Sequence, residues 1–104
     1  MLRILRFSTH RPLSAEDAHR ALEIARIAAA AAERVPGVRS CTSYADPEVL
    51  IIAAECGCCR DAEDALADSR VRFNLDRLGA EFGYMMCEDE FVSDPGAPLR
   101  PTHA

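Results

Sequence analysis

Three of the five cysteines stand almost side by side, as Cys56-Gly57-Cys58-Cys59, and Cys41 and Cys87 lie elsewhere in the chain. Thiolates grouped in this way can hold Zn²⁺ or Cu(I), or exchange as a redox pair. The spacing speaks against both. It is C-x-C-C in place of C-x₂-C, no second ligand pair follows, and the vicinal Cys58 and Cys59 share one tetrahedral ion poorly. Buried cysteines used as small hydrophobes have the same composition. A metal or redox site at Cys41, Cys56, Cys58 and Cys59 is therefore the minor reading, and no metal or other cofactor is expected.

Acid–base and oxyanion chemistry has other candidates. Asn74 is the only asparagine in the chain, and a side-chain amide can hold a phenolate or enolate oxygen as charge develops on it. His10 can take a proton from an acidic phenol. Tyr44 and Tyr84 can offer a hydroxyl as a weak acid or an anchor, although such tyrosines are more often core residues. Glu55 sits within an apolar run and needs a cation, for which Arg6 or Arg3 is the expected partner. The acidic run Glu88-Asp89-Glu90 reads as a solvated strand edge. No phosphate-cradling glycine loop, nucleophile elbow or His-Glu metal motif is present.

These residues must be placed by one domain, since the chain is 104 residues long. A net charge of −5 makes a nucleic-acid backbone an unfavourable partner, and 49% hydrophobic with 28% charged residues is an ordinary globular balance. No apolar stretch is long enough to span a membrane. The opening MLRILRFSTH reads as a strand and not as a signal peptide, so a cytoplasmic location and reduced thiols are expected.

The apolar pattern over 1–9 predicts a strand covered on both faces, with Arg3 and Arg6 on opposite faces. Ser14 and Asp17 predict a capped start for a helix over about 15–34. Its residues Ala18, Ala21, Leu22, Ile24, Ala25, Ala28, Ala29, Ala32 and Val35 share one smooth face, and Pro36-Gly37 stops it. A hairpin follows, 38–45 and 49–55, turning at Asp46-Pro47-Glu48. A second helical stretch begins near Asp61 and reaches Phe82, with a break around Ser69-Arg70-Val71. Tyr84 to Val92 is a last strand, and residues 94–104, with three prolines, form an expected mobile tail. The order β-α-β-β-α-β gives an α+β, ferredoxin-like sandwich over 1–93, with helices on one face of an antiparallel sheet. Because 49–55 is apolar on both parities, the opposite sheet face needs a cover, for which a second copy packed sheet on sheet is the simplest.

In Pro36-Gly37-Val38, the strand with Tyr44, the turn Asp46-Pro47-Glu48, VLIIAAE at 49–55 and DAEDAL at 61–66, the sequence resembles the dimeric α+β barrel superfamily, in its antibiotic-biosynthesis-monooxygenase-like branch. The resemblance spans about residues 1–93. It implies a homodimer and a pocket between helices and sheet that takes a small aromatic or polyketide-type molecule. It also implies a monooxygenation that needs no cofactor, or a cyclase or isomerase reaction in the same pocket. Oxygenases of this kind place an Asn on the second helix with an Arg nearby, which maps onto Asn74 with Arg70 or Arg77. The Trp one turn further on is Leu78 here, and the chain has no Trp. On this reading Asn74, His10, Tyr44 and Arg70 are catalytic candidates, and Tyr84, Arg77, Phe73 and Leu78 line the substrate. A non-catalytic dimeric binding protein is the remaining alternative.

Overall fold

The computed structural model describes residues 1–45 and 48–92. The expected tail over 94–104 and most of the Asp46-Pro47-Glu48 turn lie outside the described residues. Four strands and three helices follow in the order β1 (Leu2–Ser8), α1 (Ala15–Ala32), β2 (Val38–Ala45), β3 (Val49–Cys56), α2 (Cys59–Ala67), α3 (Ser69–Phe82) and β4 (Met85–Val92). The strands form one sheet in the order β2-β3-β1-β4, with every neighbouring pair antiparallel. The fold is the α+β, ferredoxin-like arrangement read from the sequence.

Local chemistry explains the helix limits. The Ser14 hydroxyl accepts from Asp17 N–H at 3.1 Å and caps α1. After Glu33 the chain turns at Gly37, whose φ of +90° suits glycine, and a Cβ there would run into the Asp61 carboxylate. The expected break in the second helical stretch falls at Asp68, one residue before the expected Ser69-Arg70-Val71 region. Asp68 has an extended backbone, and its Oδ1 accepts from the N–H groups of Arg70 and Val71 at 2.9 and 3.2 Å. It therefore ends α2 and caps α3 in one step. Gly83, with φ +75°, terminates α3.

Strand parity sorts the side chains. Arg3, Leu5 and Phe7 of β1 and Leu50, Ile52 and Cys56 of β3 are buried beneath the helices. The alanine face of α1 (Ala21, Ala25, Ala28, Ala29 and Ala32) closes over them, and Val71, Leu75 and Leu78 of α3 complete the core. Leu2, Ile4, Val49, Ile51 and Ala53 occupy the other sheet face and are only half-buried.

The two arginines of β1 do lie on opposite faces, but neither pairs with Glu55. Glu55 stands across from Leu2 and Ser40 in the register and meets Arg39 at 3.7 Å. Arg6 meets Glu88 on β4 at 3.8 Å. Arg3 turns inward. Its Nε and Nη2 donate to Asp89 at 2.9 and 2.6 Å, its Nη1 donates to the Ala62 carbonyl at 3.0 Å, and its guanidinium lies 4.7 Å from the Phe91 ring centre. Parity sets a strand's face but not its neighbours: β4 also flanks β1, and its acidic run supplies the partners of both arginines.

The Arg3 hydrogen bond and charge hold the Asp89 carboxyl below its ordinary range. A carboxyl lowered in the folded state adds stability above its unfolded pKa and loses it as pH falls through the folded one. Asp89→Asn should therefore lower stability at pH 7 by about 1 kcal/mol, allowing for the partial exposure of the carboxylate. The gap from wild type in urea midpoint should close as the pH is taken below the carboxylate range. A gap constant with pH would show that the pair contributes by packing alone.

Candidate active site between the helices

Two concave regions lie back to back across the contact of α1 with α3. The inner one is the expected space between helices and sheet. It is a narrow cavity of about 30 Å³. Arg3 and Leu5 of β1, Cys41 of β2, Ile52 and Ala54 of β3, Ala28 and Ala32 of α1, Ala62, Ala65 and Leu66 of α2, and Val71 and Leu75 of α3 line it. At its edge Arg3 and Leu66 also border an open depression with Glu63, Ala67 and Arg72. Arg3 is held by Asp89 and Ala62, so its charge is already answered. Burial pushes the Cys41 thiol up to about 12, with the nearby Glu33 charge adding to the shift. That thiol is neutral at physiological pH and a poor nucleophile. The cavity therefore contains no group able to exchange a proton near neutrality.

The outer region is a groove of about 380 Å³ between α1 and α3, lined by Ile27, Ala30, Ala31, Arg34, Ser69, Arg70, Phe73 and Asn74. Helical periodicity accounts for it. Ile27, Ala30, Ala31 and Arg34 are spaced i, i+3, i+4, i+7 along α1 and just past its end, and Arg70, Phe73 and Asn74 stack on the facing turns of α3. Asn74 is 6% exposed, and its Nδ2 donates to the Arg70 carbonyl at 2.8 Å. Its Oδ1 accepts no hydrogen bond among the described residues, so the second N–H and the oxygen remain for a ligand. Phe73 and Ile27 flank this amide with 63% and 52% of their surfaces exposed. Neither Arg34 nor Arg70 has an ion-pair partner among the described residues. The groove continues past these arginines toward Asp64 and Asp68, and Asp68 is occupied in capping α3.

Of the residues singled out from sequence, the groove thus brings together Asn74, Arg70 and Phe73. The others lie elsewhere. His10 is exposed before α1, at the opposite end of that helix from Arg34. Tyr44 faces away from the helices, beside Ile51, and is 62% exposed. Tyr84 and Leu78 are buried in the core. Arg77 is engaged by Glu81 at 2.7 Å. Arg34, Ile27 and Ser69 were missed. The signal available was Ile27, a large apolar residue outside the core face of α1.

Cys41 and Cys56 are buried on the inner sheet face, whereas Cys58, Cys59 and Cys87 are exposed. Cys58 Sγ lies 3.4 Å from Asp61 Oδ2, and Cys87 Sγ lies 3.3 Å from the Arg6 carbonyl. Burial raises the Cys56 pKa, with the Asp61 charge adding to it. Among the described residues no three His, Cys, Asp or Glu side chains gather as metal ligands. The alternative four-thiol site is not assembled among the described residues: the strand pair buries two of its sulfurs, and the α2 start turns the other two to solvent.

No family model matches the sequence, and no curated protein matches it. Solved structures do match. An antibiotic biosynthesis monooxygenase aligns over 94% of this chain and 100% of its own, with 13% identity and a TM-score of 0.64. A Deinococcus radiodurans protein provisionally given the same name aligns over 97% of this chain and 100% of its own, with 14% identity and a TM-score of 0.68. Rv0793 from Mycobacterium tuberculosis aligns over 92% and 98%, with 14% identity and a TM-score of 0.63. At such identities the likeness establishes the fold. This chain shares the fold of these structures. Among the described residues no helix is long and apolar enough to cross a membrane.

Thiol accessibility offers a direct check on this geometry. In native protein under reducing pretreatment, a disulfide reagent should modify Cys58, Cys59 and Cys87 quickly, and Cys41 and Cys56 only on unfolding. Fast modification of Cys41 would show that the inner cavity admits water freely.

Proposed function

We propose that the protein is a cofactor-independent monooxygenase acting on an acidic aromatic molecule of polyketide type, bound in the α1–α3 groove. The observation that carries this reading is the buried Asn74 amide, oriented by the Arg70 carbonyl, with unengaged hydrogen-bonding capacity between Phe73, Arg34 and Arg70. An aromatic ring lies against Phe73 and Ile27, and its phenolate oxygen meets the free N–H of Asn74. The two arginines favour the ionised phenol, and the low polarity of the alanine floor strengthens both effects. No described residue in the groove is a general base, which restricts the substrate to phenols or enols already ionised near neutral pH. The ring itself supplies the electrons: a phenol and O₂ become a quinone and water, with no external reductant. The name of the structural neighbours supports the reaction class, and the site chemistry supports the substrate class.

The test is oxygen uptake by purified protein with an acidic polyphenol. Uptake should be stoichiometric with quinone formed, and Asn74→Ala should lower kcat at least tenfold, as for loss of one oxyanion donor. Arg70→Gln should raise KM more than it lowers kcat. Ring binding with no uptake would favour the non-catalytic reading, which the missing base in the groove also favours. Rearrangement without uptake would favour a cyclase or isomerase.

We further propose that the half-buried sheet face of Leu2, Ile4, Val49, Ile51 and Ala53 packs on a second copy of the chain. Charged pairs, Arg6–Glu88 and Arg39–Glu55, flank this apolar centre, as expected of an interface with a polar rim. Light scattering should give twice the chain mass for wild type and the single mass for Ile51→Arg. A monomeric wild type at high micromolar concentration would sink the dimer.

A further inference from the structure

We propose that the cavity between the helices and the sheet is a binding site for dioxygen. Size is the first argument. At about 30 Å³ the cavity exceeds what one water-sized sphere needs, and it falls well short of the roughly 150 Å³ that admits benzene. It therefore suits a monatomic or diatomic guest and not an aromatic ring.

Chemistry is the second argument. A buried water needs two to four polar partners. Here the lining is aliphatic except for Arg3 and Cys41. The Arg3 guanidinium donates to Asp89 and to the Ala62 carbonyl, and the Cys41 backbone N–H donates to Glu33 at 3.1 Å. What remains is a surface of methyl and methylene groups that water does not solvate well but an apolar gas does. The space exists because Ala28, Ala32, Ala54, Ala62 and Ala65 each present only a methyl where three helices and a sheet converge.

Position is the third argument. On α3, Val71 and Leu75 line the cavity while Phe73 and Asn74 line the groove; on α1, Ala28 and Ala32 line the cavity while Ile27 and Ala31 line the groove. One layer of side chains thus separates a gas-sized apolar space from the amide proposed to hold a phenolate. That dioxygen is consumed there rests on the oxygenase reading above. That it occupies the cavity does not.

The experiment uses methyl-labelled full-length protein without substrate, under several bar of O₂ and separately of xenon. Dissolved O₂ should broaden the methyl resonances of Leu5, Ile52, Val71 and Leu75 at least severalfold more than that of the exposed Ile27, and xenon should shift the same buried methyls. Ala54→Val and Ala65→Val, which fill the cavity from the sheet and from α2, should each remove both effects while the remaining spectrum stays folded. Broadening that simply follows surface exposure, or water–methyl contacts within the cavity, would overturn the assignment. Where uptake is measurable, both variants should raise the KM for O₂ severalfold and leave the affinity for the phenol unchanged. Gas binding without any uptake would overturn the oxygenase reading and leave the dioxygen site standing.

Discussion

The close contact of α1 with its neighbours is the constraint on which the rest of the structure depends. Along its core face α1 offers almost nothing but methyl groups, at Ala21, Ala25, Ala28, Ala29 and Ala32. Such a face lets the backbone of one helix approach the sheet and another helix without interlocking large side chains. It also leaves gaps wherever several alanines converge, because a methyl cannot reach across the space that a leucine would fill. On the inside that shortfall leaves the cavity under Ala28 and Ala32. On the outside Ala30 and Ala31 form the floor of the groove. One compositional choice therefore opens space on both sides of the same seam, and the capping of α3 by Asp68 aligns that helix along it.

Electrostatics divides the two spaces. Arg3, the one charged side chain buried among the described residues, is matched by Asp89, by a helix carbonyl and by the face of Phe91. It binds β4 to β1 and α2, and it leaves no unanswered charge to attract water into the cavity. The exposed groove is the reverse case. Arg34 and Arg70 stand without carboxylate partners among the described residues, in a chain whose net charge is −5, so an anion meets a local field opposite to that of the whole molecule. The inner space is chemically inert and the outer one is charged and hydrogen-bonding.

The fold was largely legible in the sequence, and the site only in part. Arg70, Phe73 and Asn74 could be grouped because i, i+3 and i+4 along one helix meet whatever that helix packs against. Tyr44 and His10 could not be placed in the same way. Alternation on β2 says that Tyr44 shares a face with Thr42, but it does not say which face the helices cover. His10 ends a strand, and only the path of α1 shows that this end is remote from Arg34. The thiols illustrate the same limit: four cysteines near one end of a sheet look like a ligand set until parity buries two and the turn into α2 exposes the others.

Taken by itself, the sequence determined what depends on neighbours along the chain: the order of elements, the cap at Ser14, the break near Ser69, the stop at Gly37, and the alanine face of α1. These follow from backbone geometry and hydrogen bonds spanning a few residues. Only the tertiary structure decided which charges meet and where space remains. Arg3 finds Asp89, 86 positions away, and the cavity and groove are formed by side chains from six and two elements respectively. Pairing across a sheet and voids between layers are properties of the packed assembly. They depend on which strands become neighbours and on what is missing between them, and no local pattern of residues records either.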